Sequence, residues 1–80
     1  MHYVYLLESE GIAGERYVGN TSDLKKRLAE HNAGKSPHTA KFRPWSLVTY
    51  VAFSEPAKAR AFERYIKSGS GHAFARRRLW

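Results

Sequence analysis

Residues 2–20, His2-Tyr3-Val4-Tyr5-Leu6-Leu7-Glu8-Ser9-Glu10-Gly11-Ile12-Ala13-Gly14-Glu15-Arg16-Tyr17-Val18-Gly19-Asn20, decide the fold. From His2 to Leu7 aromatic and aliphatic side chains alternate, which is the period of a strand. The polar stretch Glu8–Glu15, with Gly11 and Gly14, is a turn, and Arg16–Asn20 is the returning arm of a hairpin. Centred on Gly11, that hairpin sets Tyr5 opposite Tyr17. Both phenols then share one face, with Val4, Leu6 and Val18 on the other.

Beyond the hairpin, Thr21, Ser22 and Asp23 all suit a helix N-cap, and Leu24–His31 follows as a helix stopped by Asn32 and Gly34. Leu24 and Leu28 define its buried stripe. At about 100° per residue, Arg27 and His31 fall within about 60° of Leu24, so both flank the stripe and neither points to open water. Residues 34–44 form a basic loop carrying Lys35, His38, Lys41 and Arg43. Trp45–Phe53, rich in β-branched and aromatic residues, is a third strand. Ser54 caps a second helix running from Glu55 to about Ser68, with Pro56 in its first turn and Gly69 ending it. A last short helix opens at Ser70 or His72 and ends in Arg76-Arg77-Arg78. The expected fold class is α+β, a small three-stranded antiparallel sheet flanked by helices in the order β-β-α-β-α-α.

Eighty residues without cysteine make one small domain, stabilised by packing rather than by disulfides or thiolate metal sites. No apolar run approaches the roughly 18 residues of a membrane span and no signal pattern opens the chain, so the expectation is a soluble cytoplasmic protein with no membrane partner. The net charge of +7 is uneven. Residues 1–24 hold one basic and four acidic side chains, net −3, and residues 25–80 hold thirteen basic and three acidic, net +10. Such a gradient gives one face that attracts polyanions, nucleic acid first.

Glu63 is the sharpest single clue. The second helix buries Ala59, Phe62 and Ile66, and Glu63 lies within that stripe, about 40° from Ala59. A carboxylate there must meet a cation, a metal or hydrogen-bond donors. An ion pair with Lys67 or Arg60 answers the need, and so does a divalent ion such as Mg²⁺, which takes one protein carboxylate and keeps several waters. Tyr5 and Tyr17 are equally consistent with ordinary strand aromatics, Arg27 with a pair to Glu30, and His31 with a satisfied buried histidine. Together, two phenols, a guanidinium, an imidazole and a carboxylate make a kit for acting on a phosphodiester. The geometry expected of them sets the two tyrosines facing the helix that carries Glu63.

Taken in order, these residues resemble the GIY-YIG nuclease family. Tyr3-Val4-Tyr5 resembles its first motif, with Tyr in place of glycine, and Tyr17-Val18-Gly19 its second. Arg27 sits where the family places its helix arginine, His31 matches a histidine of many members, and Glu63 resembles the metal-binding glutamate. Lys41-Phe42-Arg43-Pro44-Trp45-Ser46-Leu47-Val48 is similar to the small standalone bacterial subgroup, akin to the N-terminal nuclease domain of the excinuclease ABC repair complex. The chain departs from the pattern at Asn20, where repair-type members often carry lysine, and at Ala75, at the distance where the family has an asparagine.

The resemblance implies residues 1–80 as one nuclease domain, a metal-dependent endonuclease acting on DNA. Its expected sequence specificity is low, with a structure-directed role in repair or processing. It implies Tyr5, Tyr17, Arg27, His31 and Glu63 as catalytic residues. Glu63 would hold one Mg²⁺ or Mn²⁺, with a tyrosine activating water and Arg27 neutralising transition-state charge. Lys35, Lys41, Arg43, Arg76 and Arg77 are the nucleic-acid contacts, and a monomer or weak dimer is the expected state. Two alternatives share the charge pattern: a binding module of the same fold without activity, and an accessory domain that docks a protein through Trp45 and Trp80.

Overall fold

The first strand, β1 (His2–Ser9), lies in the middle of a three-stranded sheet whose order is β2-β1-β3, where β2 is Arg16–Thr21 and β3 is Trp45–Phe53. The computed structural model describes residues 1–80, adding the helices α1 (Leu24–Asn32), α2 (Pro37–Ala40), α3 (Pro56–Ile66) and α4 (Gly69–Arg78). Both neighbours pair antiparallel to β1. The α+β class and the order β-β-α-β-α-α hold, with one addition. The stretch expected to be a plain basic loop contains α2, a single helical turn entered through Ser36 in an extended conformation and Pro37.

Val4, Tyr5, Leu6 and Leu7 are all essentially inaccessible, so β1 is buried on both faces. Alternation sorts its side chains into two cores. Val4 and Leu6 pack with Val18, Ala59, Phe62, Ile66, Ala75 and Leu79 under α3 and α4. Tyr5 and Leu7 pack with Tyr17, Leu24, Leu28, Leu47 and Trp45 under α1. Each aliphatic side chain so buried stabilises the fold by about 1.5–3 kcal/mol.

The faces of the hairpin are as expected, but its register is not. Tyr5 pairs with Gly19, and Tyr17 with Leu7. The cause lies in the turn. Ser9 remains in the ladder, its backbone N–H donating to Glu15 O at 2.9 Å, and its Oγ accepts from the N–H groups of Gly11 and Ile12 at 3.2 and 3.0 Å. The residue with the left-handed backbone is Gly14, at φ 86°. A second correction concerns the layers. The tyrosines face α1, and the glutamate-bearing α3 covers the opposite face.

Asp23 is the N-cap of α1, its side chain accepting from Lys26 N–H at 3.1 Å. At the other end of α1, Asn32 clamps the start of β3: Oδ1 accepts from Trp45 N–H at 2.6 Å and Nδ2 donates to Trp45 O at 3.2 Å. The Trp45 indole donates to Thr39 O at 2.9 Å, which fixes α2 beneath α1. No helix is long and apolar enough to cross a membrane.

On the far side, α4 begins at Gly69, and Gly71 lies against the end of α3. A Cβ at position 71 would stand 1.7 Å from Tyr65 O and 2.9 Å from Ile66 Cα, so only glycine permits this approach. Gly71→Ala is therefore expected to push α4 off α3 and cost about 1–3 kcal/mol of unfolding free energy, read as a lower urea midpoint. A midpoint equal to that of the parent chain would refute this packing.

Candidate active site

Two half-sites, one on each face of the sheet, meet at the edge strand β2. On the α1 face the Tyr5 hydroxyl lies 2.8 Å from His31 Nε2, and His31 Nδ1 lies 2.8 Å from Thr39 Oγ1. Tyr5, His31 and Thr39 are at most 1% exposed. The half-buried Tyr17 ring stands 6.2 Å from the Tyr5 ring and 5.0 Å from the imidazole, centroid to centroid. Arg27, one turn before His31, is partly buried and donates to Glu30 Oε1 at 3.2 Å. Its guanidinium also stands beside the Tyr5 hydroxyl, short of a well-formed hydrogen bond with it.

Gly19 makes this arrangement possible. A Cβ there would lie 2.6 Å from Tyr5 Oη, 2.7 Å from Tyr5 Cζ and 2.9 Å from Tyr17 Cε2. Both tyrosine rings thus occupy the space that any other residue at position 19 would need. The next residue, Asn20, points to the opposite face and donates through Nδ2 to Glu63 Oε1. Lys67 Nζ lies 2.6 Å from Glu63 Oε2. The Glu63 side chain is 17% exposed, at the floor of a cleft of about 280 Å³ lined by Asn20, Arg60, Glu63, Arg64 and Lys67. A larger apolar cleft of about 480 Å³ lies elsewhere, between α1 and β3 at Tyr3, Leu24, Leu28, Leu47 and Tyr50, and none of the expected catalytic residues lines it.

Tyr5, Tyr17, Arg27 and His31 are therefore together on one face, and Glu63 reaches the same edge from the other through Asn20. The expected basic contacts are not gathered with them. Lys35, Lys41 and Arg43 lie on the segment around α2, whereas Arg76 and Arg77 are exposed on α4, in the layer across the sheet. The cations that surround Glu63 are Arg60, Arg64 and Lys67. Their spacing of i−3, i+1 and i+4 from the glutamate was the available signal. Thr39 and Asn20 carry no such local signal, because their partners come from distant segments.

Burial sets the protonation of this face. Desolvation pushes the Tyr5 phenol up to about 12, with the Arg27 guanidinium opposing the rise and Glu63 adding to it weakly. The same tyrosine helps hold Arg27 charged. Burial lowers His31, Arg27 lowers it further, and Glu30 opposes. At neutral pH the site thus contains a neutral phenol, a neutral imidazole and a fixed guanidinium.

A family model described as the GIY-YIG catalytic domain matches residues 1–76. The chain belongs to the GIY-YIG family. UPF0213 proteins of Streptococcus pyogenes serotypes M3 and M1 are 42% identical to it over 66 residues, 81% of this chain and 70% of theirs. The solution NMR structure of a UPF0213 protein from Bacillus halodurans superposes with a TM-score of 0.56 at 33% identity, covering 94% of this chain and 79% of that one. A GIY-YIG domain is of the endonuclease type, and nucleic acid is the substrate class it implies.

The buried imidazole makes stability depend on pH. Folded His31 resists protonation, whereas the unfolded chain takes up that proton below the ordinary value of 6.5. Its contribution is complete above that value and is lost as pH falls through it, because only the unfolded state gains the proton. Between about pH 7.5 and about pH 5.5 the urea midpoint is expected to fall, by up to about 1.4 kcal/mol of stability per pH unit. His31→Gln should flatten this part of the profile. An equal fall in parent and variant would show that His31 is not the group responsible.

Proposed function

We propose that residues 1–80 act as one nuclease domain that hydrolyses phosphodiester bonds in DNA, with low sequence specificity and a preference set by substrate structure. One observation carries the reading: a neutral tyrosine–histidine pair with Arg27 and a carboxylate from the opposite face converge on Gly19 and Asn20 of the same edge strand. An edge strand is open to solvent along one side, so a phosphate laid along β2 can meet both half-sites.

One hard divalent ion, Mg²⁺ or Mn²⁺, fits Glu63. No group of three or more His, Cys, Asp or Glu gathers in the chain, and such ions are often held by a single protein carboxylate plus waters and substrate phosphate. The Lys67 ammonium already places a positive charge against Oε2, on a half-exposed and flexible stem that can swing aside. When bound, the ion would supply Lewis-acid polarisation of a nonbridging phosphate oxygen and of the leaving 3′ oxygen.

The chain's own residues divide the remaining work. Arg27 neutralises the charge that grows on the phosphorus oxygens. Tyr17, the less buried phenol, orients the attacking water and takes its proton. Tyr5 keeps its own proton at neutral pH, since burial pushes it up to about 12. His31 fixes the Tyr5 ring. Arg60 and Arg64 draw the substrate backbone to the cleft, and Lys35, Lys41 and Arg43 extend the attraction. The products carry 5′-phosphate and 3′-hydroxyl ends. A monomer has one such site, so it nicks, and cutting both strands takes a weak dimer or two encounters.

A binding module without cleavage is the second reading, favoured by one observation: Asn20 and Lys67 occupy both Glu63 oxygens. Incubation with nicked, branched, single-stranded and duplex DNA, and with RNA, separates the two. Nicking is expected with Mg²⁺ or Mn²⁺ and not with chelator. Glu63→Ala should abolish it, Arg27→Ala should lower it by about 10²-fold, and Tyr17→Phe should cost more than Tyr5→Phe. Cleavage absent on every substrate, or persisting in Glu63→Ala, would sink the nuclease reading. The binding module instead shows salt-sensitive affinity alone.

A further inference from the structure

The His31 imidazole is held at both nitrogens, and one placement of protons satisfies every group around it. A neutral imidazole carries a single N–H. If that proton were on Nε2, it would point at Tyr5 Oη, and the phenol's own proton would need another acceptor. Inside the fold there is none: His31 Nε2 is the hydrogen-bond partner of Tyr5 Oη, and the neighbouring Arg27 guanidinium only donates. The proton therefore belongs on Nδ1, which donates to Thr39 Oγ1 at 2.8 Å. Thr39 in turn donates to Ser36 O at 3.4 Å. The chain runs one way, Tyr5 to His31 to Thr39 to a backbone carbonyl, and ends on a group that cannot titrate. No buried side-chain nitrogen or oxygen is left without a partner.

We propose that Thr39 is a positioning residue for the phosphodiester chemistry: it holds His31 as the Nδ1-protonated tautomer, so that bare Nε2 retains the Tyr5 proton and the phenol oxygen can only accept. An accepting oxygen beside Arg27 and Tyr17 holds the attacking water with one of its protons toward Tyr5, leaving the other for Tyr17. The side chains facing the imidazole are Tyr5 from β1, Tyr17 from β2, Arg27 and Glu30 from α1, and Thr39 from α2. Among them Thr39 is the hydrogen-bond partner of Nδ1. The role of Thr39 in a reaction rests on the nuclease reading above; the tautomer does not.

Nitrogen–proton correlation NMR of the histidine rings reads the tautomer directly, without substrate or metal. In the parent protein His31 is expected to show a protonated Nδ1 and an unprotonated Nε2. Thr39→Ser keeps the hydroxyl and should keep that pattern. Thr39→Val removes it and should give the other tautomer or a mixture. In the nicking assay Thr39→Val should lower kcat by about tenfold or more with KM little changed, as for other groups that orient a site residue, and Thr39→Ser should restore it. A protonated Nε2 in the parent overturns the proposal even if Thr39→Val fails to fold, and so does an unaltered tautomer in folded Thr39→Val. The expected tautomer in a parent protein that cleaves nothing locates the failure in the nuclease reading, and the catalytic role of Thr39 falls with it.

Discussion

Burial of β1 on both faces is the constraint from which the rest follows. Four consecutive side chains, Val4 to Leu7, have essentially no access to solvent, so each must belong to one of two cores. The aliphatic pair takes α3 and α4, and the pair containing Tyr5 takes α1. A buried phenol must place its proton on an acceptor, or the fold bears the cost of a lost hydrogen bond. His31 provides that acceptor. It in turn requires Thr39, which requires α2, which is held by Trp45 and through it by Asn32. The candidate site on this face is thus the polar answer to a packing problem set by one strand.

Because the strand divides the molecule, the chemical groups are divided as well. The neutral pair and Arg27 lie in one layer and the carboxylate with its three cations in the other. Only β2, through the successive residues Gly19 and Asn20, touches both. Gly19 contributes space and Asn20 contributes a hydrogen bond. Neither residue titrates, yet both half-sites depend on them. The Glu63 cleft, with Arg60, Arg64 and Lys67, carries more positive than negative charge, which suits a phosphate better than it suits a free cation.

Much of this is legible in the sequence because alternation and helical period are local. The three strands, the two faces of the hairpin, the Asp23 cap and the inward placement of Arg27 and His31 all follow from spacing. The register does not follow, because the Ser9 hydroxyl, not the position of Gly11, sets the turn. Helical period also tells which side of α3 is buried without telling which face of the sheet it covers, so spacing alone cannot separate Glu63 from the tyrosines. The turn α2 has a local signal in Ser36-Pro37, but the polar residues around it make the segment read as a loop. Thr39 and Asn20 act through partners 8 and 43 residues away, and composition gives no account of such pairs.

The position of β1 in the sheet also fixes an order of events during synthesis. It is the first strand made and the middle one in the finished sheet. Its partners on β2 lie 8 to 18 residues downstream, whereas those on β3 lie 36 to 51 downstream. Until Phe53 has left the ribosome, an aromatic and aliphatic strand therefore shows one bare row of backbone donors and acceptors. Such a row is a template for pairing with another chain. The interval in which this protein is most exposed to misassembly is thus written into its topology, and it closes only when β3 docks.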